Sequence, residues 1–280
     1  MGSPTGLPIA RTVYVMQGIC DDLAAEHAAL DAVVADLSEG QWHDATPAAG
    51  WDVADCITHL WFFDERARMA LDPATAADFV VDARRLMAAS SEGRDLSMEA
   101  GRALSPAGLL AAWRAERADL LALARVSDPS ARIPWYGPAM AARSFITARL
   151  METWAHGQDI RDAFGLEPAV SLRLKHVAHI GVRARPFAYA NNRRELPAEG
   201  IRVELTAPDG SQWAWGDEGL ANVVSGPAID FCLMVTQRRH VSDTDLSVVG
   251  PLAADWIGIA QAFAGPPGPG RRPGEFAHPG

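Results

Sequence analysis

The chain has 280 residues, of which 49% are hydrophobic and 21% charged, with a formal charge of -10. That length can bury one large core or two modest ones, and two domains are the expectation. The acidic balance, a pI near 5.2 and arginines scattered without a basic run argue against nucleic acid or an anionic membrane as partner and leave a small molecule.

Met1 to Arg11 reads as a loose arm. Cys20, Leu23, His27, Leu30, Val34 and Leu37 then fall at alternating steps of three and four, the inward seam of a helix. Gly40 to Gly50 is a loop, and Asp52 is the N-cap candidate of a helix over Trp51 to Leu71. A third helical pattern covers about Thr75 to Ala89, Ser90 to Leu104 is a polar interruption, and Ser105-Pro106 opens a fourth helix that sends Leu109, Trp113, Leu120 and Leu123 to the core. The rigid aromatic segment Ile133-Pro134-Trp135-Tyr136-Gly137-Pro138 leads into one continuous helix within Met140 to Leu166, with Gly165 as its stop. A further helix spans Val170 to Tyr189. Asn191 to Gly200 is a polar linker and the expected domain boundary.

Beyond it the period changes to two. Ile201, Val203 and Leu205 alternate with polar residues, Pro208-Asp209-Gly210 turns the chain and Gln212 to Trp215 returns, a hairpin. A strand at Val223-Val224, a helix over Pro227 to Arg239, a strand at Leu246 to Val249 and a helix over Pro251 to Phe263 complete a small α+β domain. The Gly- and Pro-dense tail 265–280 is expected to be disordered. The expected domains are thus 12–190, a helical unit, and 197–264, a small α+β unit.

Three cysteines, Cys20, Cys56 and Cys232, are far apart and lack C-x-x-C spacing, so neither a disulfide framework nor a cysteine zinc site is supported. No apolar run reaches the ~18 to 20 residues of a membrane span, and no charged segment followed by an apolar one marks a signal peptide. A reducing cytoplasm is the expected location.

The chemistry concentrates in the helix before Leu166. Glu152 and His156 are four residues apart, which places them roughly 40° apart in azimuth and about 6 Å apart along the axis. That spacing suits two ligands on one metal, although the same pair on a helix is as often an ordinary polar contact. A third ligand must come from elsewhere. His59, embedded between Ile57, Leu60 and Trp61, is the candidate; its alternative is a core histidine. Two imidazoles and a carboxylate would leave coordination positions open, as catalytic sites do. Asp159 follows His156 by three residues and suits a supporting or acid-base role, with plain solvation as its alternative. Trp135 and Tyr136 form either a pocket wall or a plug at the end of the bundle. His27 is either a core histidine bonded to a neighbour or an extra ligand, and is also a candidate for the pocket. His176 and His179 share a helix face without a carboxylate at a matching turn, so packing between domains is their expected job, with His179 also a candidate for the pocket.

Trp51-Asp52-Val53-Ala54-Asp55 with Thr58-His59-Leu60, followed by Glu152-Thr153-Trp154-Ala155-His156-Gly157-Gln158-Asp159-Ile160, resembles the metal-binding signature of DinB-like four-helix proteins similar to mycothiol-dependent maleylpyruvate isomerase. The resemblance covers nearly the whole chain. It implies a DinB-like four-helix bundle with extra helices and a small α+β domain resembling sterol carrier protein over Ile201 to Ala264. It also implies a divalent cation on His59, Glu152 and His156, zinc first, with nickel, iron or manganese as alternatives, and mycothiol as cosubstrate. Family members use an arginine of the second domain; Thr236-Gln237-Arg238-Arg239 resembles that region, with Gln237 where glycine is usual. Arg238 or Arg239 is therefore the expected clamp for a substrate oxyanion, guanidinium offering two parallel donors. The segment His176 to Arg183 and the Trp135-Tyr136-Gly137 loop resemble a separate branch of the family, so maleylpyruvate is not the expected substrate.

Three readings follow. The first is a metal-dependent isomerase or S-transferase that uses a thiol against a small organic electrophile. The second is a thiol-independent isomerase, hydrolase, lyase or cyclase using the same metal. The third is a carrier of an apolar ligand with a structural metal. Monomer and homodimer are both compatible with the sequence.

Overall fold

A computed structural model describes residues 9–276, with side chains from Met16 onward. The chain divides into two compact units between Glu167 and Pro168. Of the arm expected at the N-terminus, residues 1–8 lie outside the described residues, and Ile9 to Arg11 already belong to the first helix.

The first unit is built on four long helices, α1 (Ile9–Val34), α2 (Val53–Leu71), α5 (Pro106–Val126) and α6 (Ala142–Ala163), with the shorter α3 (Ala76–Ser91) and α4 (Leu96–Arg102) between them. α1 packs on α5 and α6, and α2 packs on the same two helices. Leu30, Val34, Ile57, Leu60, Leu109, Trp113 and Ile160 fill one core among these helices, joined by Trp42 from the preceding 3-10 turn. Two helix starts follow the sequence. Asp52 accepts the Asp55 N–H at 2.7 Å at the head of α2, and Ser105 accepts the Gly108 N–H at 3.2 Å at the head of α5, with Pro106 in its first turn.

The segment Ser90 to Leu104 is not a mere interruption. It contains α4, started by Asp95, whose carboxylate accepts from Ser97 N–H at 3.0 Å, and held to α2 by Arg102, whose guanidinium grips Asp55 at 2.8 and 2.9 Å. Met98 and Gly101 supply its buried face, too short a stripe to register as a period. Downstream, β1 (Arg132–Ile133) pairs antiparallel with β2 (Met140–Ala141), so a two-residue ladder pins the Trp135-Tyr136 loop at the start of α6. α6 ends where expected. Gly165 takes φ +61 and the Leu166 N–H returns to the Arg161 carbonyl at 2.9 Å.

In the second unit the helix expected over Val170 to Tyr189 is two, α7 (Leu174–Arg183) and α8 (Arg185–Asn191), parted at Ala184 with Pro186 in the first turn of α8. α7 packs on α9 (Ala228–Val235), and a Cβ on Gly181 would lie 2.6 Å from Val235 Cγ2. This close packing makes α7 part of the second unit, so the division falls at Glu167 rather than in the polar linker. The sheet runs β4-β3-β5-β6, from β3 (Arg202–Thr206), β4 (Gln212–Trp215), β5 (Val223–Pro227) and β6 (Ser247–Val249). β3 and β4 form the hairpin, Val203 facing Trp215, while β3 and β5 are parallel, Val203 facing Val224. α10 (Pro251–Ile257) stops at Gly258, earlier than Phe263.

Residues 265–276, expected to be disordered, follow a defined course. The Gly274 N–H donates to both Asp243 carboxylate oxygens at 2.8 and 2.9 Å, and the Arg239 guanidinium lies 4.6 Å from the Phe276 ring centre. The side chains of Arg239 and Asp243 thus hold a backbone whose own composition gives it no preferred path. The last four residues lie outside the described residues. The chain is a two-domain α+β protein, a four-helix bundle with extra helices followed by a small α+β unit.

Gly101 sits where α4 crosses α2, and a Cβ there would meet Thr58 Oγ1 at 2.0 Å and Thr58 Cβ at 2.6 Å, beside His59. Gly101→Ala is expected to destabilise the protein by about 1 to 3 kcal/mol, as overpacking does. Urea unfolding would read it; an unchanged midpoint would show that α2 and α4 yield without strain.

Candidate metal centre

α2 and α6 face one another in the bundle, and their inward polar positions meet. His59 and Glu152 come together across the two helices, and His156 joins them from the next turn of α6. His59 Nε2 lies 3.7 Å and His156 Nε2 3.6 Å from the same oxygen, Glu152 Oε2. Both separations exceed hydrogen-bond length. One ligand atom from each residue falls within 4.8 Å of the others, an arrangement that could hold a metal ion. The donor set fits a divalent cation, because two nitrogens and a carboxylate oxygen converge without bonding one another.

Burial fixes the charge states. Desolvation pushes the His59 imidazole down to about 4, so it is neutral near pH 7 with a lone pair available. For Glu152, burial alone would raise the carboxyl, but the two facing imidazoles hold it well below the usual carboxylate range. A neutral His59 imidazole and an ionised Glu152 need no proton release before ligation.

Asp159 is fully buried with Oδ2 3.3 Å from His156 Nδ1. It is not a solvated surface group. A carboxylate near the far nitrogen of a histidine favours the tautomer that leaves Nε2 as the acceptor. Cys56 approaches the same face, and Cys56, His156 and Asp159 also lie within 4.8 Å of one another. That second set shares His156 with the first and is buried throughout. Burial raises the Cys56 thiol, with His156 opposing, so it resists forming the thiolate that ligation needs.

Two aromatic rings cover the centre. Trp51 stacks on His156 at 5.4 Å and 23° and tilts against His59 at 5.1 Å; Phe63 lies 4.6 Å from His59. Phe63 then carries the wall outward to Tyr136 at 5.6 Å and Trp135 at 6.3 Å, and Trp135 stacks flat on Phe79. Trp135 and Tyr136 therefore belong to an aromatic cluster continuous with the centre. The Tyr136 hydroxyl is buried without a hydrogen-bond partner, and burial pushes its phenol up.

The other expected pocket residues are divided between the two units. His27 is a core residue, edge-on to Trp113 at 5.9 Å. Burial, aided by the charges of Arg117 and Arg149, pushes its imidazole down to about 3. His179 lies in the second unit, where its Nδ1 accepts from Trp215 Nε1 at 3.2 Å. Arg238 and Arg239 are not in a helix but in the turn after α9, where Gln237 takes φ +60. Arg238 is buried and donates to the Thr236 carbonyl at 2.7 Å; half-buried Arg239 donates to the Arg238 carbonyl at 2.7 Å. Sequence reasoning missed Trp51, Phe63 and Cys56 as site neighbours. Phe63 and Cys56 stand four after and three before His59, a signal that was available; Trp51 precedes the helix and reaches the site only through the turn that ends in the Asp52 cap.

Residues 23–161 match a family model described as the mycothiol maleylpyruvate isomerase N-terminal domain, and residues 197–248 one described as wyosine base formation. The first match lies within the helical unit. The chain is 45% identical over 252 residues to the uncharacterized protein Rv0036c of Mycobacterium tuberculosis, and equally to MT0041 of a second strain, covering 89% of this chain and 96% of each relative. It belongs to the family of these proteins, a DinB-like family similar to mycothiol-dependent maleylpyruvate isomerase. The crystal structure of that isomerase aligns with a TM-score of 0.48 and 14% identity, over 85% of this chain and 93% of the other. Among the described residues, no helix is long and apolar enough to cross a membrane.

All three thiols are buried. Burial pushes Cys20 up to about 11 and raises Cys56 and Cys232 as well. The native protein should therefore leave its cysteines unlabelled by a thiol reagent at pH 7 over a time in which the denatured chain labels three. Rapid labelling of Cys56 in the native state would contradict this account of the site.

Proposed function

We propose that this protein is a metal-dependent enzyme that brings a small thiol, of which mycothiol is the family's namesake, onto a small organic electrophile, as an isomerase or S-transferase. The observation that carries the reading is the approach of two imidazole nitrogens to one carboxylate oxygen at 3.6 and 3.7 Å, beyond hydrogen-bond length. His59, Glu152 and His156 would hold a divalent cation, zinc first. When bound, such a cation lowers the pKa of a thiol or water at its open positions and so supplies a nucleophile at neutral pH.

The chain's own groups supply the rest. Asp159 stands with its carboxylate 3.3 Å from His156 Nδ1, on the side of the ring away from the ligand site, where it would favour the Nδ1–H tautomer and leave Nε2 for the metal. Trp51 and Phe63 shield the imidazoles from water, which strengthens every charge interaction behind them. The thiol must come from outside the chain, because no cysteine of this protein is both exposed and acidic enough to serve.

Elemental analysis after purification, followed by turnover of a panel of electrophilic alkenes with and without thiol, tests both halves. Near-stoichiometric metal is expected in the wild type. His59→Ala, Glu152→Gln and His156→Ala should each lose more affinity than the roughly ten- to hundredfold that follows from removing a supporting group, and Asp159→Asn should fall within that range. Metal retained in full by the ligand variants would remove the triad. Turnover that survives thiol omission would instead support the thiol-independent isomerase, hydrolase, lyase or cyclase.

A further inference from the structure

A buried charged layer lies beside the candidate centre, and none of the chemistry above uses it. Arg149 precedes Glu152 by three residues and so shares its face of α6, one turn away. Asp64 follows His59 by five residues on α2. Arg149 Nε donates to Asp64 Oδ1 at 2.9 Å, and Arg149 Nη2 reaches the Leu60 carbonyl at 3.5 Å, the residue next to His59. The Asp64 side chain is 0% exposed and that of Arg149 4%. From the third side, α1 brings His27 Nε2 to 3.9 Å from Asp64 Oδ2. Neither nitrogen of His27 nor Asp64 Oδ2 has a hydrogen-bond partner.

Such a layer is a poor way to gain stability. Stripping water from two ions costs more than their attraction returns unless the geometry is excellent, and an apolar pair of similar volume is often as stable or more so. What an apolar pair lacks is direction. The rigid guanidinium fork binds a side chain of α2 and a backbone carbonyl of α2 together, so it fixes α6 against α2 in both rotation and translation. The same two helices carry the ligands, and their register sets how far His59 Nε2 stands from Glu152 Oε2. His27 bears on the remaining Asp64 oxygen and ties α1 into the layer.

We propose that Arg149, Asp64 and His27 are positioning residues, a buried layer that sets the register of α2 and α6 and through it the affinity and geometry of the metal centre. The proposal rests on the ligand set assigned under the proposed function. A merely structural layer would move stability; this one should move metal binding at constant stability.

The test uses the full chain with zinc and cobalt as probes. Zinc affinity is measured by competition with a chromophoric chelator, coordination geometry by the visible absorption of the cobalt form, and stability by thermal unfolding of the apoprotein. In Arg149→Met/Asp64→Leu, apoprotein unfolding is expected at or above the wild-type temperature while zinc affinity falls roughly ten- to hundredfold and the cobalt spectrum changes. Arg149→Lys keeps the charge but loses the fork, and a smaller fall is expected. Should the double variant not fold, Asp64→Asn, equal in shape, carries the same expectation. Wild-type zinc affinity and an unchanged cobalt spectrum in a folded double variant, or in Asp64→Asn, would overturn the proposal alone. A wild type that takes up no zinc would overturn both this and the ligand assignment, and is seen before any variant is made.

Discussion

The pairing of α2 with α6 is the constraint on which the rest of the bundle depends, because each helix turns charged side chains inward. α6 buries Arg149, His156, Gln158 and Asp159 along most of its length. A buried ion without a partner costs several kcal/mol, so this helix has no place in a core unless partners face its charges. They do so in layers. Asp64 of α2 meets Arg149, His59 of α2 and His156 meet Glu152, and Asp159 meets His156 from within α6. The apolar core of Leu30, Ile57, Leu60, Leu109, Trp113 and Ile160 holds the helices together, and the polar layers select which faces meet.

Those layers also set the charge of the candidate centre. Burial keeps His59 neutral, the imidazoles keep Glu152 ionised, and the protein thiols stay protonated. The result is a neutral His59 and an ionised Glu152 beside a cysteine whose thiolate is disfavoured. Rings of Trp51 and Phe63 close over it and lead outward to Trp135 and Tyr136, a wall that suits a small ligand with apolar or planar surface.

Much of this was legible in the sequence where a local rule decides the outcome. Asp52, Ser105-Pro106 and Gly165 mark helix ends by capping chemistry that needs no tertiary context, and Glu152 and His156 share a face through the period of the helix alone. His59 needed more, since only tertiary pairing brings it opposite Glu152, and the resemblance supplied what spacing does not. The seam position of His27 says that it is inward; it does not say in which layer, and the structure sets it against Asp64 and Trp113. α4 was hidden by its length. The break at Ala184 and the packing of Gly181 on Val235 depend on contacts far away in the chain, which is why α7 and α8 read as part of the bundle. The Gly- and Pro-dense segment up to Phe276 is ordered by partners at Asp243 and Arg239 that composition does not reveal.

The two donor groups that share His156 make the central assignment directly measurable. X-ray absorption at the edge of the metal in the purified protein would distinguish them by the atoms around it. Ligation by His59, Glu152 and His156 predicts only nitrogen and oxygen neighbours, at about 2.0 to 2.2 Å for zinc. A sulfur neighbour at about 2.3 Å in thiol-free protein would place the metal on Cys56 instead and contradict the account.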